Sequence, residues 1–233
     1  MKLAIHQPEF MPWMGFFNKM ALADEYVIFD HVQFKKRYFE NRNRIVSARG
    51  EINFITIPVL NKECVQPINL VEIDNSRDWK RKLMKSLMHN YSKAPYFKEY
   101  YDDLEQRIND KTFDTLISLN MIVIDFFRYH LHIETPMVYS STLDVSSFKG
   151  SDLILQLCRR KNANTYLCGS SGRDYLKQEE FKQHTVNIEW LDYQCPCYKQ
   201  MCDQFIPNLS TLDLLFNEGP RSERIIKDSK NNV

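Results

Sequence analysis

The sequence lacks a long apolar segment. Its longest apolar run, residues 121–127, is interrupted by Asp125 and is far shorter than the roughly 20 residues that a helix needs to cross a bilayer. Only Lys2 and four apolar residues precede His6, too few for the apolar region of a signal peptide. We therefore expect a soluble cytoplasmic protein with no membrane span.

The sequence also lacks an excess of either charge. Its 31 basic and 30 acidic residues give a formal charge of +1. Such a chain has no overall field that attracts polyanions, so we expect no nucleic-acid partner. The sequence does not indicate an oligomeric state.

Several frequent catalytic and metal-binding motifs are absent. There is no P-loop, GxGxxG, GxSxG or HExxH pattern, so common nucleotide-binding, hydrolase and zinc-protease classes have no support. A CxC pair is followed by one further cysteine but by no second pair, which predicts no metal site. The six irregularly spaced cysteines favour reduced thiols: Cys64, Cys158, Cys168, Cys195, Cys197 and Cys202.

The first 30 residues have the pattern of a βαβ unit. An apolar run ends at His6 and Gln7, a short helical stretch follows, and a second apolar run ends at Asp30, His31 and Gln33. The crossover makes the two strands parallel, so their carboxyl ends lie on the same edge, where α/β sheets bind ligands. We therefore expect these five side chains to converge.

The remaining sequence predicts a single α/β domain, residues 1–233, with a helical insertion at about 78–130. A glycine-containing turn joins β-prone runs 43–47 and 53–59 into a hairpin. The later alternation of strands and helices predicts a Rossmann-like, mainly parallel sheet with helices on both faces. Predicted helices cover 78–89, 96–109, 112–130, 150–161 and 174–183; predicted strands cover 136–139, 165–168 and 186–191. The polar segment from Arg221 onward is expected to be loosely held.

The polar residues of the first strand and loop have two interpretations. His6 beside a carboxylate such as Asp30 can act as a general base, or it can be a structural residue at a strand end. Trp13 offers a flat surface for stacking a ligand, or it covers the core. Gly15 lies in the same loop, and glycine is scarce in this chain, with six in total.

A basic and aromatic segment follows the second strand. Residues 31–44 contain five Lys and Arg side chains against one acid, with three aromatic residues between them. Arg42 and Arg44 can hold phosphate through bidentate hydrogen bonds. Alternatively, the segment is a solvated surface. Basic and aromatic interleaving also suits single-stranded nucleic acid, but the balanced net charge argues against it.

A second glycine-containing loop lies between a predicted strand and a predicted helix. Gly169, Ser170 and Ser171 offer backbone N–H groups to an anion, and Arg173 and Tyr175 are the side chains placed to reach a ligand. A plain strand–helix turn is the alternative.

Several motifs together resemble one family. The opening HQPEFMPWMGFFNKMALADEYVIFDHVQFKKRYFENRNRI, the segment YLCGSSGRDYL and the segment STLDLLFNEG are similar to those of the WbqC-like proteins. These proteins occur in bacterial O-antigen and polysaccharide gene clusters. The resemblance covers nearly the whole chain and implies a role in surface polysaccharide biosynthesis.

A weaker resemblance concerns mechanism. Nucleotidylyltransferases and pantothenate synthetases also begin with a strand, a Pro-containing loop and a His-x-Gly-His element that holds ATP phosphates. Here Trp13 and Phe16 stand where the histidines would be, while Gly15 is kept. The resemblance implies a similar α/β architecture and leaves ATP or an acyl donor as the candidate cosubstrate.

Together these features suggest an acyl or aminoacyl transferase, or an ATP-dependent amide ligase, acting on a nucleotide-activated amino sugar. In this hypothesis His6 and Asp30 handle protons, and Arg42 and Arg44 hold phosphates. The alternative is a non-catalytic protein that binds a nucleotide sugar or another phosphorylated small molecule.

Overall fold

The computed structural model describes residues 1–61, 65–229 and 231–232, so Cys64 lies outside the described residues. The strands are β1 (Lys2–His6), β2 (Glu25–Ile28), β3 (Arg42–Val46), β4 (Ile52–Thr56), β5 (Met137–Tyr139), β6 (Thr165–Gly169), β7 (Asn187–Tyr193) and β8 (Asn231–Asn232). The helices are α1 (Met14–Ala21), α2 (Trp79–Tyr91), α3 (Phe97–Asn109), α4 (Leu116–His130), α5 (Gly150–Arg160), α6 (Gln178–Gln183), α7 (Thr211–Glu218) and α8 (Arg221–Lys227).

The main sheet has the order β5-β2-β1-β6-β7-β8, and its first five strands run parallel. Only the short β8 pairs antiparallel, with β7. β1 lies between β2, reached through α1, and β6, which follows much later in the chain. The strand order therefore reverses between β1 and β6, and such a switch point opens a crevice at the carboxyl ends of the strands.

The sheet separates two apolar cores, as the alternation of side chains along a strand requires. On β1, Ala4 packs into the core that contains α1, α4 and α7, whereas Leu3 and Ile5 pack against α5 and α6. The predicted α/β class with helices on both faces is confirmed. That the whole chain folds as one domain stays a prediction.

The predicted hairpin is present as β3 and β4, with Arg44 opposite Phe54. Gly50 lies in its turn with a φ of 81°, a conformation that a residue with a side chain rarely adopts. β4 ends at Thr56, before Pro58, which has no N–H to donate to a strand partner. The three helices predicted between the hairpin and β5 correspond to α2, α3 and α4.

Two expectations were wrong in part. The helix predicted from residue 174 begins at Gln178, because residues 170–174 form a 3₁₀ turn packed tightly on β6. Within that turn, a Cβ on Gly172 would lie 2.1 Å from Cys168 Sγ. The segment from Arg221 is a helix, not a loose tail, since Ile226 is fully buried and its carbonyl accepts a hydrogen bond of 2.8 Å from Asn18 Nδ2.

Two further properties concern the described residues only. The five described cysteines, at 158, 168, 195, 197 and 202, carry free thiols. None of the described helices has the length and apolarity needed to span a bilayer.

Candidate functional site

A cleft of about 770 Å³ opens at the switch point between β1 and β6. The ends of these two strands form its floor, and α1, the basic segment and the loop after β6 contribute its walls. Nine of the predicted site residues line it: His6, Gln7, Trp13, Gly15, Arg44, Gly169, Ser170, Ser171 and Tyr175.

His6 ends β1 and is half-buried in this cleft. Its Nδ1 lies 3.0 Å from the Gln7 carbonyl oxygen, and since a carbonyl only accepts, Nδ1 carries the proton in a neutral ring. Nε2 therefore keeps a lone pair. Burial, reinforced by the nearby charge of Lys19, lowers the pKa of His6 from 6.5 to about 4. The ring is thus neutral at physiological pH and can accept a proton at Nε2.

Lys19 supports the floor of the cleft from α1. Its ammonium donates a hydrogen bond of 2.8 Å to the Ile5 carbonyl and lies 5.8 Å from the centre of the Tyr166 ring. Burial lowers the pKa of Lys19 to about 8, and Cys168 opposes that shift. Lys19 lies four residues after Gly15, on the same side of the helix, and this spacing is the signal that sequence reasoning missed.

Trp13 directly precedes α1, and Gly15 lies in its first turn. A Cβ on Gly15 would come within 2.4 Å of the Trp13 ring, so the indole occupies this position because residue 15 has no side chain. The indole meets the Tyr193 ring edge-on, with centroids 5.2 Å apart. Both aromatic rings therefore give the cleft an apolar wall.

The loop after β6 only partly matches the prediction. Gly169, Ser170, Ser171 and Tyr175 line the cleft, and both serines are exposed. Arg173 does not line it. The Arg173 guanidinium instead lies over the Trp190 ring at 4.7 Å and bonds to Asp192 Oδ2 at 3.3 Å.

Asp30, His31 and Gln33 are not brought to His6. Both carboxylate oxygens of Asp30 accept hydrogen bonds from the turn after β5: Oδ1 from Ser140 Oγ and Ser141 N, each at 2.9 Å, and Oδ2 from Ser141 Oγ at 2.6 Å. β5 flanks β2 on the side away from β1, so the carboxylate is directed away from the cleft. We name the group Asp30, His31, Ser140 and Ser141 the serine-turn cluster.

The other two residues at that strand end are also engaged elsewhere. His31 Nδ1 bonds to Ser140 Oγ at 2.6 Å, and burial lowers the pKa of His31. Gln33 is exposed and pairs through its backbone with Pro67.

Arg42 and Arg44 have different surroundings although both lie on β3. Arg44 lines the cleft, and its Nη2 donates to the Asn208 carbonyl at 2.7 Å. Arg42 lies outside the cleft, with its guanidinium 4.6 Å from the centre of the Phe54 ring and a hydrogen bond to the Arg37 carbonyl. The two proposed phosphate-binding arginines therefore do not face one ligand.

Further cleft residues were not selected from the sequence. Besides Lys19, they include Glu9, Lys35, Tyr38, Asn43 and Tyr193. Lys35 and Tyr38 belong to the basic and aromatic segment, and Lys35 brings to the cleft a positive charge of the kind that the sequence assigned to Arg42. Among the described residues, no group of three or more His, Cys, Asp or Glu side chains is arranged to hold a metal ion.

Comparison with known proteins gives the family. The sequence model of the WbqC-like protein family matches residues 7–225. The chain belongs to the WbqC-like protein family. It is 34% identical over 220 residues to the uncharacterized protein Rv1507c of Mycobacterium tuberculosis, a match that covers 94% of each chain. No solved structure matches the chain significantly.

Proposed function

We propose that this WbqC-like protein is a cytoplasmic enzyme of surface polysaccharide biosynthesis that transfers an acyl or aminoacyl group to the amine of a nucleotide-activated amino sugar. The occurrence of such proteins in O-antigen gene clusters supports the glycan context. The observation that carries the proposal is the cleft itself, in which neutral His6, with a free Nε2, shares one space with Arg44 and Lys35.

The cleft residues divide the task between them. Arg44 and Lys35 bind the diphosphate of the acceptor through charge-assisted hydrogen bonds. Trp13 and Tyr193 provide an apolar surface for its sugar or base. The backbone around Gly169 and Ser170 and the two serine hydroxyls hold an anionic group of the donor.

His6 handles the proton that the reaction releases. The acceptor nitrogen attacks the carbonyl carbon of an activated acyl donor, the bond to the leaving group breaks, and the nitrogen loses one proton. Nε2 of His6 takes that proton and passes it to the leaving group. ATP with an amino acid, or an acyl thioester, is the donor class to test.

The experiment is a product assay by mass spectrometry. Purified protein is incubated with UDP-glucosamine and either ATP plus amino acids or acyl-coenzyme A. We expect an amide product, and we expect His6→Ala to lower turnover by about 10²–10⁴-fold while acceptor affinity stays nearly unchanged. His89→Ala, which alters an exposed histidine on α2, is the control and should keep full turnover. Equal turnover by His6→Ala would remove His6 from the mechanism.

One observation favours a non-catalytic nucleotide-sugar binding protein instead. Asp30, the carboxylate expected to orient His6, is directed into the serine-turn cluster, and the His6 ring is held instead by the Gln7 carbonyl. Binding of UDP-glucosamine without product from any donor would favour this second function.

A further inference from the structure

Two acidic side chains that repel each other, Glu9 and Glu40, are buried next to one wall of the cleft. Glu9 lies in the loop after β1 and lines the cleft, and Glu40 lies just before β3. Asn120 on α4 ties these segments together, since its Nδ2 donates to the Pro8 carbonyl at 3.0 Å and to the Glu40 carbonyl at 2.8 Å. The fold thus places both carboxyl groups in one environment. Glu9 is 4% exposed and Glu40 is fully buried.

The oxygen atoms of this group have too few donors. Among the described residues, Glu9 Oε2, Tyr26 Oη and Asn120 Oδ1 are buried without a hydrogen-bond partner, and Tyr26 and Asn120 are fully buried. Neither carboxyl oxygen of Glu40 has a partner with good hydrogen-bond geometry. Leaving such atoms unsatisfied is rare and costs about 1–3 kcal/mol each. A ligand that satisfies these oxygen atoms has to supply hydrogen-bond donors.

The charges point the same way. Burial, followed by repulsion from Glu40, raises the pKa of Glu9 to about 8. Burial raises the pKa of Glu40 to about 7, against the opposing effect of the Lys35 charge and of nearby backbone N–H groups. The other ionisable groups that face the pair are Tyr26 and Tyr38, and both have raised pKa values for the same reasons. Among the described residues, Lys35 is the one positive charge that opposes the repulsion within the pair.

We propose that Glu9, Tyr26, Asn120 and Glu40 form a subsite for the primary ammonium group of the substrate, with Glu9 as the residue that contacts it from the cleft. This inference deepens the proposed function and rests on it, because it identifies the amine of the acceptor as the group that is recognised. We name these four residues the ammonium subsite.

A primary ammonium fits better than a metal ion. Its three N–H donors can satisfy three separate acceptors, which is the number of buried oxygens without partners on Glu9, Tyr26 and Asn120. Among the described residues, no third His, Cys, Asp or Glu side chain joins the two glutamates to complete a metal site.

The subsite also prepares the amine for reaction. A carboxylate that binds an ammonium can take one of its protons, which gives a neutral amine and a carboxylic acid. Burial raises the pKa of Glu9 because it disfavours the charged carboxylate, so this proton transfer costs less free energy here than it does in water. The neutral amine keeps the lone pair that attack on an acyl carbon requires.

The test is titration calorimetry with small probes and does not need a reaction. D-glucosamine and methylammonium chloride are titrated into the protein, with D-glucose and magnesium chloride as comparisons. We expect both amines to bind and D-glucose to bind at least about tenfold more weakly, since a charge-assisted hydrogen bond is lost. Methylammonium affinity should rise from about pH 6 to pH 8, because protons compete for the same carboxyl groups.

Matched variants locate the binding. Glu9→Gln keeps the shape of the side chain and removes its charge, so it should weaken amine binding at least about tenfold. Glu134→Gln, which changes an exposed glutamate, should bind as the parent does. A cooperative unfolding curve like that of the parent protein shows that each variant is folded.

Each outcome decides between explanations. Equal binding of D-glucosamine and D-glucose, no binding of either amine, stronger binding of Mg²⁺, or full binding by Glu9→Gln would each overturn the ammonium subsite. If amines bind as expected but no acyl product is formed, the subsite stands and the transferase function fails. If product forms while Glu9→Gln binds amines normally, the function stands and the subsite fails.

Discussion

The carboxyl edge of the parallel sheet carries two polar groups that differ in how well their atoms are satisfied. In the serine-turn cluster, both carboxylate oxygens of Asp30 accept hydrogen bonds from the turn after β5. At the cleft, Glu9 Oε2 is buried and without a partner, and the pKa values of His6 and Glu9 are both displaced by burial. The carboxylate of Asp30 has its partners within the protein, whereas Glu9 Oε2 has none among the described residues.

This difference indicates which group has a ligand. A buried polar side chain with all of its partners in the protein stabilises the fold, and a ligand would have to break those bonds to use it. A buried group without partners has a free-energy cost that a ligand can relieve. From sequence position alone, Asp30 is a better candidate than Glu9 for binding a ligand. The hydrogen bonds reverse that order.

The largest effect is expected from Asp30→Ala. This change leaves the donors of Ser140 and Ser141 without their charged acceptor, so we expect the free energy of unfolding to fall by about 3 kcal/mol. Urea denaturation measures that loss. Ligand affinity per folded molecule should stay unchanged, because the carboxylate lies outside the cleft.

The control for this variant is Ser141→Ala, which removes one hydroxyl donor and should cost about 1 kcal/mol. A fully stable Asp30→Ala protein that no longer binds ligand would reverse the comparison and return Asp30 to the site.

The second effect is a loss of stability as pH rises. A glutamate titrates at 4.5 when free, and the pKa of Glu9 is raised to about 8 by burial and by Glu40. The native state therefore keeps a proton that the unfolded chain has already lost, and stability falls from pH 4.5 up to about pH 8. Between pH 6.5 and 8 this amounts to about 2 kcal/mol, at about 1.4 kcal/mol for each pKa unit.

Other ionisable groups change the stability mainly outside the range from pH 6.5 to 8. His6, with its pKa lowered to about 4 from 6.5, makes the protein less stable as pH falls below 6.5. Lys19, lowered to about 8 from 10.5, changes stability only above pH 8. Glu40 acts in the same direction as Glu9 up to about pH 7. Urea denaturation at several pH values should show the slope in the parent and in Glu134→Gln, and a much smaller slope in Glu9→Gln. A flat parent profile would contradict the buried state of Glu9.

The fold was largely predictable from sequence because its signals are local. Apolar runs ending in polar residues gave β1 and β2, and four-residue spacing of apolar side chains gave α2. α8 was missed because its burial depends on a distant partner, Asn18, and its own residues are mostly polar. Local pattern does not contain that information.

The site was less predictable, for a related reason. Parallel strands place their ends on one edge, and this argument correctly brought His6, Gly169 and Ser170 together. It does not say toward which neighbouring strand a side chain turns, and Asp30 turns toward the residues after β5. Glu9 lies in the first motif, but its importance comes from its burial and from repulsion by Glu40, which only the tertiary structure produces.

The smallest effect concerns the two arginines of β3. They sharpen the comparison because one strand carries both an arginine that lines the cleft and an arginine that packs outside it. Arg44 lines the cleft, whereas Arg42 packs on Phe54 outside it. We expect Arg44→Ala to weaken UDP-glucosamine binding by about 1.5 kcal/mol, roughly tenfold, through loss of a charge-assisted contact. Arg42→Ala should leave affinity within about twofold and cost at most about 1 kcal/mol of stability from the lost cation–π contact. Calorimetric titration of both variants measures the difference, and equal weakening by the two would mean that distance from the cleft does not decide which arginine holds phosphate.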